Sequence, residues 1–135
     1  MIITIPKEKR AALILAKIKH CQQNNIRIEN LGTVSYTNIL QQINQATFCV
    51  FPSLRETLGL PLVECAKMGK KILVSNLDYV NHIVTPSITF HPEQPEDIAD
   101  AVEAALTNKL PLSKILLKNQ VAQLKQLIIN QAVTP

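Results

Sequence analysis

Apolar residues along this chain form short continuous runs, and the stretches between them have helical spacing. The runs are rich in β-branched and aromatic residues, which is typical of strands. They cover residues 2–5, 26–31, 47–51, 71–75 and 87–90. Because these runs are apolar at nearly every position rather than at alternate ones, we expect both faces of each strand to be covered, as in a parallel sheet.

The intervening segments predict helices. Tyr36, Ile39, Leu40 and Ile43 are spaced i, i+3, i+4 and i+7, and Ser35 precedes them as a candidate N-cap. Further helices are predicted over about residues 7–22, from about residue 60 onward, after residue 95, and over about residues 111–130. Strand followed by helix, repeated along residues 1–135, predicts a single α/β domain with an open parallel sheet and helices on both faces.

Composition agrees with a compact domain and limits the classes of partner. The chain is 47% apolar and 18% charged, which excludes a disordered chain. Its net charge of +4 is a mild excess. We interpret the basic residues as solvated helix faces and strand ends, with attraction to an anionic ligand or an acidic membrane surface as the alternative. Nucleic acid is not an expected partner, because no stacking aromatic residues are interleaved with the basic ones.

The cysteines and the hydropathy pattern allow predictions about the cellular location of the protein and about metal binding. Cys21, Cys49 and Cys65 form no CxxC pair, so neither a zinc site nor a disulfide framework is predicted. We therefore expect no bound metal and a reduced, cytoplasmic environment. No segment approaches the roughly 20 apolar residues that span a bilayer. Any membrane association is expected to be peripheral.

The turn after the third predicted strand has features of a ligand site. In open α/β sheets ligands bind beyond the carboxyl ends of the strands. Pro52 and Ser53 end this strand, and Pro61 is suited to the first turn of the next helix. Such a helix start presents free N–H groups and the positive end of its dipole, both of which attract phosphate. Gly59 allows close backbone approach.

Two carboxylates flank this turn. Glu56 lies in the loop before the helix, and Glu64 lies eight positions later, about one turn inside it. Carboxylates bind phosphate poorly but accept hydrogen bonds well from sugar hydroxyls. The pair therefore suggests a ligand with sugar, phosphate and sugar in sequence. The alternative is a solvated loop acid and an acid on the helix surface.

The stretch FPSLRETLGLPLVECAKMGKKILVSN resembles a segment of the family-4 type of GT-B glycosyltransferases, which reads approximately PSxxExFGxPxxEAMAxGxPVIxS. The similarity extends over about residues 26–107, and the family's two glutamates fall on Glu56 and Glu64. Leu58, Cys65 and Lys71 stand where the family more often has Phe, Ala and Pro. None of these departures removes a ligand group.

The resemblance implies specific roles in a nucleotide-sugar site on one half of a GT-B fold, with a Rossmann-like sheet. The implied roles are donor-sugar contact and catalysis for Glu56, diphosphate binding for the N–H groups of Leu58, Gly59 and Leu60, ribose binding for Glu64, and a place beside the nucleobase for Gly32, Thr33 and Val34. The implied reaction is transfer of a sugar from a UDP- or GDP-linked donor to a glycan or glycolipid, with retention. No cofactor or metal is implied.

The resemblance also implies that this chain lacks two parts of the family's enzymes, a βα unit that contacts the diphosphate and the domain that binds the acceptor. In the family, an Arg and a Lys from a preceding βα unit contact the diphosphate, and an amino-terminal domain binds the acceptor. Lys7, Lys9 and Arg10 instead have the pattern of an exposed first helical turn. We therefore expect a truncated carboxy-terminal domain that is inactive alone and requires an acceptor-binding domain or subunit as its partner.

Two alternatives belong to other classes. The first is a non-catalytic nucleotide-binding or interaction module that keeps the fold without turnover. The second is a receiver-like signalling domain, which needs a cluster of acids at the end of the first strand. The sequence IITIPKEK does not supply that cluster.

Overall fold

The computed structural model describes residues 1–107 and 109–117. The chain forms two compact units, one over Met1–Asn44 and the other from Gln45 onward. Among the described residues, no helix has both the length and the apolar character needed to cross a membrane.

The amino-terminal unit contains a short pair of parallel strands and a helix. Its elements are β1 (Ile2–Ile3), a 3₁₀ turn (Lys9–Ala11), α1 (Ala12–Gln23), β2 (Glu29–Asn30) and most of α2 (Tyr36–Gln45). Ile2 pairs with Glu29 in parallel register. The Asn38 N–H donates a hydrogen bond to Ser35 Oγ at 3.3 Å, which confirms the predicted N-cap of α2.

The carboxy-terminal unit is built on a three-stranded parallel sheet in the order β3-β4-β6. Its strands and helices are β3 (Phe48–Phe51), α3 (Leu60–Lys67), β4 (Lys71–Ser75), α4 (Val80–Ile83), β5 (Val84–Thr85), β6 (Ile88–Phe90), α5 (Pro95–Thr107) and β7 (Lys114–Ile115). The short strands β5 and β7 pair with each other in antiparallel register.

The core of this unit surrounds β4, which lies between two strands of its sheet. Leu73 is fully buried and packs in a cluster with Phe90 of β6 and with Ala101 and Ala105 of α5. The small alanines let α5 approach the sheet closely, while the continuous apolar run ILV of β4 fills both of its faces. This arrangement confirms the prediction that the strand is covered on both sides.

The predicted α/β class with parallel strands is confirmed. All five predicted strands are present, β4 at its predicted length and the others in shorter form, and the helices expected from about residue 7, residue 36, residue 60 and residue 95 are present. The helix predicted over residues 111–130 is wrong for residues 111–117, where β7 forms instead, and its remainder lies outside the described residues. The Leu116 N–H donates a hydrogen bond to the Ile83 carbonyl, and this tertiary pairing replaces helical bonding.

Candidate functional site

The loop between β3 and α3 lies at the carboxyl edge of the sheet. The helix begins directly after Gly59, whose φ of 60° and ψ of 38° lie in the left-handed region that favours glycine. The Gly59 carbonyl accepts hydrogen bonds from the N–H groups of Leu62 and Val63 at 2.9 and 3.2 Å. Pro61 occupies the first turn, where its missing N–H costs no hydrogen bond.

Three consecutive N–H groups lie at this helix start. Within the part of the chain that the structure describes, the amides of Leu58, Gly59 and Leu60 donate no hydrogen bond. The flanking leucine side chains are 55% and 56% exposed, whereas Gly59 is buried against Ile83 and Leu62. Unpaired amides at the positive end of a helix dipole form a local environment that attracts an anion.

The two carboxylates lie on either side of this helix start in sequence. Glu56 is exposed in the loop, and Glu64 is half-buried one turn after Leu60. Among the described residues, neither side chain forms an ion pair or a hydrogen bond. Both carboxylates therefore have their oxygen atoms available to accept hydrogen bonds from a ligand.

Sequence reasoning did not select Tyr79, which lies between β4 and α4. Its hydroxyl donates a hydrogen bond to the Ser53 carbonyl at 3.0 Å, joining the turn after β4 to the loop after β3. Burial raises the pKa of Tyr79, and the negative charge of Glu56 raises it further. The available signal was its place just after β4, at a strand end where the sheet topology predicts ligand contacts.

The other predicted contacts lie in the amino-terminal unit. The turn of Gly32, Thr33 and Val34 follows β2, and the Gly32 N–H donates a hydrogen bond to Asn30 Oδ1 at 3.1 Å. Asn30 also bonds both backbone groups of Ile5, which holds the end of β2 beside the end of β1. The place of this turn beside a nucleobase stays a prediction.

The basic residues near the amino terminus are exposed, as the sequence indicated, but they lie before α1 rather than in its first turn, with Lys9 and Arg10 in the preceding 3₁₀ turn. Lys7, Lys9 and Arg10 are exposed before α1, and Arg10 forms an ion pair with Glu8 at 2.6 Å. Among the described residues, no three His, Cys, Asp or Glu side chains are grouped closely enough to hold a metal ion.

Comparisons with known proteins point to one family. Residues 8–123 match the family model described as glycosyl transferases group 1. The chain is 30% identical over 83 residues to an alpha-D-kanosaminyltransferase of Streptomyces kanamyceticus, covering 59% of this chain and 22% of that protein. It is 30% identical over 79 residues to the serotype-specific mannosyltransferase WbdA of Escherichia coli, covering 58% of this chain and 10% of that protein.

A eukaryotic relative matches a similar length of chain. The phosphatidylinositol N-acetylglucosaminyltransferase gpi3 subunit of Schizosaccharomyces pombe is 27% identical over 85 residues, covering 62% of this chain and 19% of that protein. The match to this chain thus spans 10% to 22% of the length of these three curated relatives.

Proposed function

The chain belongs to the glycosyl transferases group 1 family, and we propose that it forms the donor-binding part of a retaining glycosyltransferase. The donor is a nucleotide sugar linked to UDP or GDP, and the acceptor is a glycan or glycolipid. Binding of the acceptor belongs to a further domain or subunit. The proposal thus goes beyond the family assignment, because it identifies the chain with the half of the enzyme that binds the donor.

The single observation that carries the proposal is the helix start between the two glutamates, where the N–H groups of Leu58, Gly59 and Leu60 have no acceptor among the described residues. Such N–H groups are suited to the oxygen atoms of a diphosphate. Carboxylates are suited to the hydroxyl groups on either side of it. A nucleotide sugar presents these groups in the same order, with ribose, diphosphate and donor sugar.

The proposed chemistry follows from where charge develops. When the bond between sugar and diphosphate breaks, negative charge grows on the leaving phosphate oxygen. Fixed N–H donors that face this oxygen stabilise the transition state more than the ground state. In this arrangement Glu56 orients the donor sugar through its hydroxyls, and Glu64 orients the ribose. The chain thus supplies leaving-group stabilisation and donor alignment.

Calorimetric titration of the full chain with UDP, GDP, ADP and their sugar conjugates tests the proposal. We expect weak binding of a nucleoside diphosphate, reduced about tenfold or more in Glu64→Gln, since a hydrogen bond to a charged group contributes about 1.5–3 kcal/mol. The matched control is Glu103→Gln, which removes the same charge from an exposed position of α5 and leaves affinity unchanged.

Each outcome of the titration has a definite meaning. Equal affinity in the wild type and in Glu64→Gln contradicts the ribose assignment, and absence of binding for every nucleotide contradicts the site. Binding that is insensitive to the sugar, with no transfer when a complementary acceptor-binding domain is supplied, favours the non-catalytic module.

A further inference from the structure

Two of the three cysteines lie against each other in the carboxy-terminal unit. Cys49 is in β3 and Cys65 is in α3, and their sulfur atoms are 3.0 Å apart. Cys65 is fully buried, whereas Cys49 is partly exposed. The structure therefore holds two reduced thiols in contact.

The two thiols differ in acidity because one donates a hydrogen bond to the other. That hydrogen bond raises the pKa of Cys65, and burial raises it further. The pKa of Cys49 is lowered, first by the hydrogen bond it accepts from Cys65 and also by the positive charge of Lys70, against the opposing effect of burial. Because the thiolate is the reactive form, Cys49 is the better nucleophile of the pair.

We propose that Cys49 and Cys65 form a reversible redox pair, in which a hydroperoxide or a small-molecule disulfide converts the two thiols into an intramolecular disulfide between β3 and α3. The partly exposed Cys49 reacts first by attacking the oxidant, and the buried Cys65 then resolves the product. This inference does not depend on the proposed donor site, because it rests on the sulfur contact alone.

The chemistry balances with a hydroperoxide as the oxidant. The Cys49 thiolate displaces an alkoxide from the peroxide and becomes a sulfenic acid, and the alkoxide takes up a proton to leave as the alcohol. The Cys65 sulfur then attacks the Cys49 sulfur, forming the S–S bond and releasing water with the Cys65 proton. Two thiols lose two electrons, and the peroxide is reduced by the same two electrons.

The second step requires only a small movement of the two sulfur atoms. A disulfide places its sulfur atoms about 2.05 Å apart, so the atoms observed at 3.0 Å must approach by about 1 Å. Disulfides that form in a reducing compartment are usually transient and redox-sensing rather than structural.

The test treats the reduced full chain with dilute hydrogen peroxide, unfolds it, alkylates the remaining thiols and measures the intact mass. We expect two of the three thiols to be protected from alkylation, one peptide pair linking Cys49 to Cys65, and full recovery of all three thiols with dithiothreitol. Cys21→Ser should behave the same way, with no free thiol left after oxidation.

A variant that lacks Cys65 separates the oxidation of Cys49 from the formation of the disulfide. In Cys65→Ala, peroxide should leave Cys49 as a sulfenic acid that a dimedone probe labels, with no disulfide within the chain. Three alkylated thiols in the oxidised wild type, or linked peptides that include Cys21, would overturn the proposal. The peptide map of the wild type gives this answer even where a variant fails to fold.

Discussion

The Tyr79 hydroxyl donates a hydrogen bond to the Ser53 main-chain carbonyl across 3.0 Å. Ser53 in turn donates from its side-chain hydroxyl to the Arg55 carbonyl at 2.8 Å. Together these two bonds attach the loop that carries Glu56 to the turn after the central strand β4. The loop that carries Glu56 is thus held at Ser53 by an aromatic side chain from a different strand end.

Replacing Tyr79 with Phe should loosen this attachment while keeping the ring. We expect the free energy of unfolding to fall by about 1 kcal/mol, which is typical for a single hydrogen bond to a neutral carbonyl. Urea unfolding of the wild type and of Tyr79→Phe measures the difference, and equal stabilities would show that the Ser53 contact contributes nothing.

The raised pKa of Tyr79 predicts a specific loss of stability at high pH. Because the folded-state pKa exceeds the unfolded value of about 10, the folded chain keeps this proton where the unfolded chain loses it. The contribution that this pKa difference of Tyr79 makes to the free energy of unfolding is fully present below about pH 10. It is lost as the pH rises from there through the folded-state pKa.

Ultraviolet titration checks this prediction directly, since the chain contains two tyrosines and no tryptophan. In Tyr36→Phe, tyrosinate should appear only above the pH expected for an exposed phenol. The alkaline decrease in stability should be smaller in Tyr79→Phe than in the wild type. A normal titration midpoint in Tyr36→Phe would contradict the assignment.

Gly59 is predicted to tolerate substitution poorly for two separable reasons. Alanine in the left-handed region costs about 1–2 kcal/mol, and a Cβ at Gly59 would lie 2.6 Å from Cδ1 of Ile83. Gly69 has a similar φ of 64°, but a Cβ added there would meet no atom of a non-adjacent residue within 4 Å. Gly69→Ala therefore measures the backbone cost alone.

Thermal or urea unfolding of these variants separates the two costs. Gly59→Ala should destabilise more than Gly69→Ala, and the excess should shrink in Gly59→Ala combined with Ile83→Val, which removes the Cδ1 atom. Strict additivity of the two substitutions would show that Ile83 does not limit this position.

Ser113 is predicted to stabilise the amino-terminal end of β4. Its buried hydroxyl accepts a hydrogen bond from the Ile72 N–H at 3.0 Å and lies 3.1 Å from Ser87 Oγ. Ser87 Oγ accepts from the same N–H at 3.2 Å and donates to the Pro111 carbonyl.

Ser113→Ala should therefore cost about 1 kcal/mol, because Ile72 keeps its longer bond to Ser87. Ser87→Ala should cost more, since it removes contacts to Ile72, Pro111 and Ser113 together. Chemical denaturation of the two variants gives the order, and a reversed order would contradict this description of the network.

The amino-acid sequence alone determined the class of fold, through its apolar pattern, and the position of the candidate turn, through its proline and glycine residues. Continuous apolar runs such as residues 72–74 can be satisfied only when both faces are covered, so they indicate a parallel sheet. Pro52 ends β3, and Gly59 with Pro61 starts α3, because these residues restrict the backbone regardless of their surroundings.

Tertiary structure decided whatever depends on residues distant in sequence. The segment around Lys114 and Ile115 has a helical pattern, yet it forms a strand that pairs with β5. The spacing of apolar residues within the segment cannot predict this pairing, because β5 lies about 30 residues earlier in the chain. The contact of Tyr79 with Ser53 and that of Cys49 with Cys65 join separate elements, and no spacing rule predicts them. Local backbone preferences are written in the sequence, whereas side-chain contacts between elements depend on how the elements pack.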